Sequence, residues 1–532
     1  MHKTAVAYTV GKLMQVLGLV LMVPLAIGIY DGWSTDISSA FQLPEVSGFA
    51  VAILFSLLCG TALALLFRRG SGYQGVKEGY AIVTFGWFAL AFVAAIPFCL
   101  YFMAGRAGNL GGIAYAFTDA YFEVMSGFTT TGATILSDVE AMPRSLLFLR
   151  ALTHWLGGMG IITLAIAILP TMGASGYQMF RGEVPGPSKD KLMPRLKQTA
   201  SILWGVYLIF TAAETVLLMV GGMSLFDSVC HAFATMATGG FSNSNQSIAG
   251  YNSAFIEWVV IIFMYLAGVN FVLHFRALRG DVRSMLTNKE FLFYNGVIVA
   301  AVVVITGVLY FGKLDTAEAT SQHFRNEPMT TVEFNEHYND QQAKLETFGH
   351  TFRVAVFQTV AVVTTTGFAT FDFDLWPSFL LILMVTLMFF GGCAGSTGGG
   401  MKMIRIMIVV RMAINQLRKL TQPRLVAPVK IGEEAIDDKL IINVVTFSIL
   451  FVGLFVVVAF LMTLFVPDLT TAVACSIATI GNIGPGLSGV GAIENYGWIP
   501  LPGKWILVFS MLLGRLEIFT VLVIFRSSFW RK

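Results

Sequence analysis

The sequence predicts an all-α polytopic membrane protein. Four repeated span–short helix–turn–span units surround a common axis, behind an added amino-terminal two-helix hairpin. Three observations predict this. The chain is 56% hydrophobic and only 12% charged, against about 25% charge in an ordinary globular domain. Long runs almost free of charge recur from one end to the other, and a bilayer holds such runs where a soluble core does not. Four separated stretches turn on a glycine after a short apolar segment: Thr129-Thr130-Thr131-Gly132, Met236-Ala237-Thr238-Gly239, Thr364-Thr365-Thr366-Gly367 and Gly481-Asn482-Ile483-Gly484. Basic residues gather in alternate loops.

Full-length spans are expected near 10–29, 47–67, 79–103, 148–170, 199–221, 254–274, 291–312, 376–410, 441–465 and 503–526, each supplying the roughly 20 residues that cross about 30 Å of hydrocarbon. The first run lacks a small-residue cleavage pattern and reads as a retained signal-anchor helix. The run 376–410 is interrupted by Gly391-Gly392-Cys393-Ala394-Gly395-Ser396-Thr397-Gly398-Gly399-Gly400. Each glycine disfavours a helix by about 1 kcal/mol relative to alanine, so this is expected to be a broken helix with irregular backbone at membrane depth. Such backbone survives only when buried in protein or facing water. Five cysteines, Cys59, Cys99, Cys230, Cys393 and Cys475, form no CxxC pair, and neither a thiol redox site nor a thiolate metal site is indicated.

Charge orients the bundle. Arg68, Arg69 and Lys77 follow the second span, and Arg181, Lys189, Lys191, Arg195 and Lys197 the fourth. Arg276, Arg279, Arg283 and Lys289 follow the sixth. Lys402, Arg405, Arg411, Arg418, Lys419, Arg424 and Lys430 follow the broken one, and Arg526, Arg531 and Lys532 close the chain. The loop 30–46 has no base and 313–350 is mainly acidic. The asymmetry puts the basic loops and both termini in the cytoplasm. Segments 117–129, 225–236, 351–363 and 469–480 are too short to cross and are expected to enter from the outer side and return. The organisation is then an amino-terminal hairpin over 1–76 and units over 77–197, 198–289, 290–438 and 439–532, the third carrying the broken span. Asp119 and Asp227 are expected to cap short-helix starts.

These are four pseudo-repeated span–pore helix–filter loop–span units around one pore. A dehydrated cation needs oxygens in place of its water shell, and converging backbone carbonyls supply them. Glycine permits the dihedrals that turn a carbonyl to the axis and leaves no side chain in the path. The carboxyl ends of the short helices carry partial negative charge, which favours a cation. The ion-contacting residues expected are Thr130, Thr131, Gly132, Thr238, Gly239, Thr365, Thr366, Gly367, Asn482, Ile483 and Gly484. The hydroxyls of Thr131, Thr238 and Thr366 brace the loops in this reading. The fourth loop has no threonine directly before Gly484, which predicts an imperfectly symmetric ring with less stringent discrimination than a symmetric tetramer.

The loop formed by Gly391, Gly392, Gly395, Ser396, Thr397, Gly398, Gly399 and Gly400 is the natural gate, with Lys402 anchoring it near the membrane surface; the competing reading is close helix packing through small residues. Arg515, inside the last span, is functional by default as an intramembrane charge. It is expected below the filter, meeting Glu517 or the carbonyls of the broken segment. Gly157-Gly158-Met159-Gly160 and Ala267-Gly268 read as close-packing positions. Glu123 is expected to stabilise its neighbouring loop or attract cations from outside. Glu214 is a further charge in an apolar run. His154, His231 and His274 lack metal-ligand spacing and read as satisfied interior residues. A net charge of +3 does not imply nucleic acid. No GxxxxGK[ST] or strand-linked GxGxxG is present, nor any convergent catalytic set, so an enzyme is not indicated.

The strings Ser126-Gly127-Phe128-Thr129-Thr130-Thr131-Gly132, Ala237-Thr238-Gly239-Gly240-Phe241-Ser242, Thr364-Thr365-Thr366-Gly367-Phe368 and Gly481-Asn482-Ile483-Gly484-Pro485-Gly486, with Gly391 to Lys402 and Gly514-Arg515-Leu516-Glu517, resemble the bacterial Trk/Ktr/HKT superfamily of potassium transporters. The added hairpin is similar to the Trk-type membrane subunit. The resemblance implies filter glycines at Gly132, Gly239, Gly367 and Gly484, with Gly132 matching the potassium-selective pattern. It also implies K+ as the transported ion, a bacterial inner-membrane location and a homodimer. A cytoplasmic ring of Rossmann-like regulatory subunits that bind NAD(H) or ATP/ADP is implied too. Potassium uptake driven by the membrane potential leads. Symport coupled to protons or sodium, or a less selective monovalent cation pathway, remains open.

Overall fold

The structure is a computed structural model that describes residues 1–33, 43–70, 75–105, 110–160, 196–312, 331–422, 424, 428–432 and 434–531. It is all-α apart from a short antiparallel pair, Lys430–Ile431 with Glu434–Ala435. Six described helices are long and apolar enough to cross a membrane, or eight if two sharply bent pairs each count as one span. Leu66, Val303, Val457 and Phe460 stand exposed on these helices, as lipid-facing side chains do.

The amino-terminal element is α1 (Lys3–Val20) and α2 (Met22–Trp33), broken only at Leu21, followed by α3 (Pro44–Leu66). The pair α1 and α3 crosses where Gly11 and Gly60 face each other, each leaving no room for a side chain on the other. Ser56 Oγ there donates to the Met14 carbonyl. Small residues let backbones approach where lipid tails supply no competing drive.

Four stretches then repeat one sequence of elements. In the first, α4 (Val76–Ala104) leads to a short helix α5 (Leu110–Phe128), a turn, and α6 (Arg144–Gly158). The second is α7 (Leu196–Val220), α8 (Leu225–Met236), then α9 (Ala254–Ala267) and α10 (Phe271–Leu278). The third is α11 (Lys289–Phe311), an outer helix α12 (Thr331–Ala343), the short α13 (Phe348–Val363), then α14 (Ser378–Met388) and α15 (Met403–Thr421). The fourth is α16 (Asp438–Met462), α17 (Leu469–Ile480), then α18 (Leu501–Arg515) and α19 (Phe519–Leu522).

The expected continuous spans at 254–274 and 503–526 are corrected. The chain bends by 104° between α9 and α10, and by 112° between α18 and the segment beginning at Phe519. At the first bend Gly268 lies against Tyr294 Oη, Thr364 and the 391–400 loop, and Asn270 caps the new helix by accepting from Val272 N–H at 2.9 Å. At the second, Glu517 takes a left-handed φ of 51°. The break expected in 376–410 is present, between Met388 and Met403. The later part of the 148–170 span, the bases Arg181, Lys189, Lys191, Arg195 and Lys532, and residues 313–330 of the loop 313–350 lie outside the described residues.

Three of the short helices start on a side-chain cap. Ser224, Thr347 and Asp468 accept from the backbone N–H three residues on. The expected caps are thus corrected. Asp227 occupies the third helical position, where its carboxylate accepts from Ser224 Oγ at 2.7 Å. Asp119 lies well inside α5 and pairs with Lys504 Nζ at 2.6 Å.

Candidate functional site

The four short helices end in one shared backbone pattern. The N–H groups of Thr131, Gly239, Thr366 and Ile483 reach back to the carbonyls of Ser126, Ala234, Ala361 and Ala478, at 2.8 to 2.9 Å. The N–H groups of Thr130, Thr238, Thr365 and Asn482 reach Gly127, Thr235, Val362 and Thr479. This is the Schellman closure, which needs one left-handed residue just past the helix, usually glycine. Here that residue is Thr130, Thr238, Thr365 or Asn482, with φ of 52°, 55°, 60° and 54°. A threonine there costs about 1–2 kcal/mol, and such strain gathers where function requires a fixed backbone.

The pattern sets the register between repeats. Two residues past each left-handed position stand Gly132, Gly240, Gly367 and Gly484, with φ of 80°, 82°, 76° and 96°. The second repeat is therefore displaced by one residue from the sequence-based alignment. Gly240, not Gly239, stands in the place of the other three glycines, and Gly239 stands with Thr131, Thr366 and Ile483.

Those glycines close a circle. A Cβ added to Gly132 would collide with the Gly239 carbonyl, one on Gly240 with that of Thr366, one on Gly367 with that of Ile483, and one on Gly484 with that of Thr131. Each repeat thus meets the next, and the fourth meets the first. Thr130, Thr131, Thr238, Thr365, Thr366, Asn482 and Ile483 are all fully buried in this circle.

Side chains brace it unequally. Thr129 and Thr131 share a hydroxyl–hydroxyl bond of 2.8 Å, and Thr364 and Thr366 one of 2.7 Å. Asn482 Nδ2 donates to Thr131 Oγ1 and to the Met511 carbonyl, both at 2.9 Å. Thr238 instead donates to the carbonyl of Ala237. Glu123 is buried, accepts from Thr134 Oγ1 and Ile135 N–H, and pairs with Arg150 Nε at 2.7 Å. Arg150 in turn donates to the Ser242 carbonyl. Glu123 is accordingly a buried brace of its own turn.

Beneath the circle lies the 391–400 loop, in contact with the second, third and fourth repeats. Thr397 Oγ1 donates to the Met236 carbonyl at 3.0 Å and Gly399 N–H to Thr365 Oγ1 at 2.6 Å. Gly399 presses on Gly481 and Asn482, Gly398 on Thr364, Gly391 on Gly399 itself, and Gly392 on Gly268 and Ser396. Gly395 and Gly400 have φ of 77° and 60°. Lys402 anchors the loop from inside the protein. It is 1% exposed, and its Nζ donates to Ser396 Oγ and the Gly398 carbonyl. Arg515 donates to the carbonyls of Thr397, Gly157 and Gly158 at 2.7, 2.6 and 3.0 Å. Of its two expected partners, then, the broken-segment carbonyl is met, while Glu517 pairs with Arg405 at 2.6 Å.

Sequence reasoning missed several residues. Gly157 and Gly158 pack closely, as expected, but their carbonyls also hold Arg515. Glu290 Oε1 accepts from both Ala394 N–H and Ile404 N–H, tying the loop to the start of α15. Charge counts place residues in loops but carry no depth, so neither role was legible. His231 bonds to the Asp227 carbonyl and Ser242 Oγ, and His274 to the Leu266 carbonyl. His154 differs: its ring faces the Gly127 backbone, but neither ring nitrogen meets a hydrogen-bond partner at ordinary geometry among the described residues. Those residues hold no metal-binding cluster of His, Cys, Asp or Glu.

Residues 46–532 match the TrkH family model, described as a cation transport protein. The chain belongs to the TrkH/TrkG family of the Trk/Ktr/HKT superfamily. It is 35% identical to the Trk system potassium uptake protein TrkH of Escherichia coli over the full length of both chains. It is 37% identical to the TrkH of Salmonella typhimurium, across 91% of this chain and 92% of that one. The crystal structure of the potassium transporter TrkH from Vibrio parahaemolyticus superposes with a TM-score of 0.80 at 30% identity, covering all of both chains. As a member of this family, the chain is a multi-pass inner-membrane potassium transport protein rather than an enzyme.

Proposed function

We propose that K+ enters through the circle of turns, stripped of water and held by main-chain oxygens of Thr131, Gly239, Thr366 and Ile483 and their neighbours. The closed order of contacts, with each glycine seated on the next repeat's carbonyl, carries this reading. It supports a single axis lined by backbone, with glycine wherever a side chain would obstruct it. The organisation proposed is the hairpin over 1–76 and units over 77–197, 198–289, 290–438 and 439–532, with basic loops and both termini cytoplasmic. The 391–400 loop obstructs the path below the circle and Arg515 adds a positive barrier there, supported by the bonds of the loop to the second and third repeats and of Arg515 to the loop and the first repeat. Opening requires the loop to leave Thr365, Met236 and Arg515 together.

The reading extends to two partners that the resemblance implies: a second copy of the chain and a cytoplasmic nucleotide-binding ring. Helix α15 supports such a role, since it leaves Val410, Ile414, Leu417 and Leu420 exposed among Arg411, Arg418 and Lys419. Rubidium uptake into proteoliposomes under an imposed inside-negative potential tests the central claim. Uptake is expected without a proton or sodium gradient, with potassium competing far better than sodium. Uptake that requires either gradient supports the coupled reading, and equal competition by sodium overturns the selective one.

A further inference from the structure

Three of the four turns carry their own brace, and the second does not. In the first and third, the residues flanking the left-handed position are both threonine, and their hydroxyls join: Thr129 with Thr131, and Thr364 with Thr366. In the fourth, Asn482 ties the turn to the Met511 carbonyl on the repeat's own second helix. The corresponding residues of the second turn are Ala237 and Gly239, which have no hydroxyl to offer. Yet this turn takes the same left-handed Thr238 and the same glycine φ as its counterparts, so something else holds it.

Thr397 of the third repeat bonds to the Met236 carbonyl at its start; what fills the space beside Gly239 comes from the preceding repeat. His154, on α6, is fully buried. A Cβ on Gly239 would fall inside its imidazole, closest to Nδ1. The same ring packs on Phe241 with centroids 4.1 Å apart. It therefore grips both residues flanking Gly240, the glycine that seats on the Thr366 carbonyl. The ring faces the Gly127 backbone of its own repeat and makes no hydrogen bond to the second turn, so its grip on that turn is one of shape. Close packing transmits such constraints because interiors lack slack.

We propose that His154 is a specificity-determining positioning residue: its imidazole replaces the missing side chain of Gly239 and fixes the second turn's carbonyls at the spacing that suits K+. The proposal rests on reading the circle as the ion-selective passage. It explains why Gly239 is glycine although its φ does not demand one: the space belongs to another repeat's side chain.

The test is paired substitution in the full-length protein, read as K+ and Na+ flux in proteoliposomes, with assembly checked by size-exclusion chromatography. His154→Ala is expected to lower the K+ over Na+ flux ratio by about fivefold, the change produced by about 1 kcal/mol of lost discrimination. His154→Asn retains a planar group where Nδ1 lies and is expected to lower the ratio less; it carries the test if the alanine variant fails to assemble. Gly239→Ala alone is expected to suppress flux, and adding His154→Ala is expected to recover it by vacating the space. A ratio unchanged in assembled His154→Ala or His154→Asn protein overturns the proposal, as does a double variant no more active than Gly239→Ala. Gly367→Ala separates the two levels, because the nearest atoms to that glycine belong to Ile483 and Pro485 and not to His154. If it conducts normally, the ion-passage reading itself fails; if it is silent while the His154 variants keep the native ratio, only this proposal fails.

Discussion

Two layers of the protein differ in how far they repeat. The circle of turns is nearly fourfold: one closure pattern, one set of dihedrals, one kind of contact passed from repeat to repeat. The layer beneath it has no such regularity. There the second helix of each repeat gives way differently: at Gly157-Gly158-Met159-Gly160 in the first, at a 104° bend in the second, over the stretch between Met388 and Met403 in the third and at a 112° bend in the fourth. The difference follows from what each layer is made of. Backbone is alike in every repeat, so backbone builds the symmetric layer. Side chains such as Lys402, Arg515 and Glu290 occur once each, so the layer they build is singular, which is why control is proposed for it and coordination for the circle.

Four substitutions break or sharpen that contrast. The largest effect is expected for Gly367→Ala in the symmetric layer, where the added Cβ meets the Ile483 carbonyl and the φ of 76° is unfavourable to alanine. Rubidium uptake should fall by about a hundredfold or more, since the strain and collision together exceed about 3 kcal/mol. Normal uptake would show that the turns tolerate asymmetry. Next is Arg515→Ala in the singular layer, which removes three carbonyl contacts and a positive charge. Basal uptake should rise about tenfold, equivalent to about 1.4 kcal/mol off the barrier; a folded variant with native flux would remove Arg515 from the control layer. Lys402→Met unpairs the Gly398 carbonyl and loosens the loop, and basal uptake should rise about threefold, equivalent to about 0.65 kcal/mol and so a fraction of one charged hydrogen bond. A decrease instead would mean that the loop supports the passage and does not obstruct it. The smallest effect is expected for Asn482→Thr, which completes the threonine series at the left-handed position but loses the bonds to Thr131 and Met511. The K+ over Na+ flux ratio should fall about twofold, a fraction of the worth of a neutral hydrogen bond. An increased ratio would mean that exact fourfold likeness, and not the asparagine tie, sets discrimination.

How much of this was legible in the sequence varies by layer. The short helices were read closely because apolar segments of sub-membrane length end at glycine-bearing turns; 225–236 and 469–480 coincide with the helices seen. The register of the second turn was missed because two glycines are adjacent there. A Thr-Gly match selects Gly239, whereas the left-handed Thr238 places the equivalent glycine one residue later. The bends after Ala267 and Arg515 were hidden for another reason. Apolar residues continue across them, and hydropathy measures what a segment buries, not its direction. The pairs Glu123–Arg150 and Asp119–Lys504 join distant parts of the chain, and single-sequence patterns carry no such distance information. Lys402 was drawn toward the surface by a rule for flanking bases. That rule assumes a charge seeks water, and here loop oxygens take the place of water.

The order of contacts in the circle has a consequence for synthesis. The last seat to form joins Gly484 to the Thr131 carbonyl, bringing together an early and a late part of the polypeptide. A ribosome that has delivered three repeats has made an open arc, with the Thr131 oxygen still lacking its neighbour. The arginine that reaches Thr397 and Gly157 emerges later still, after Gly484 itself. If the circle is the route and Arg515 its barrier, as proposed, a half-made chain offers the cell no finished route for ions to leak through, and passage and barrier become complete within a few dozen residues of each other.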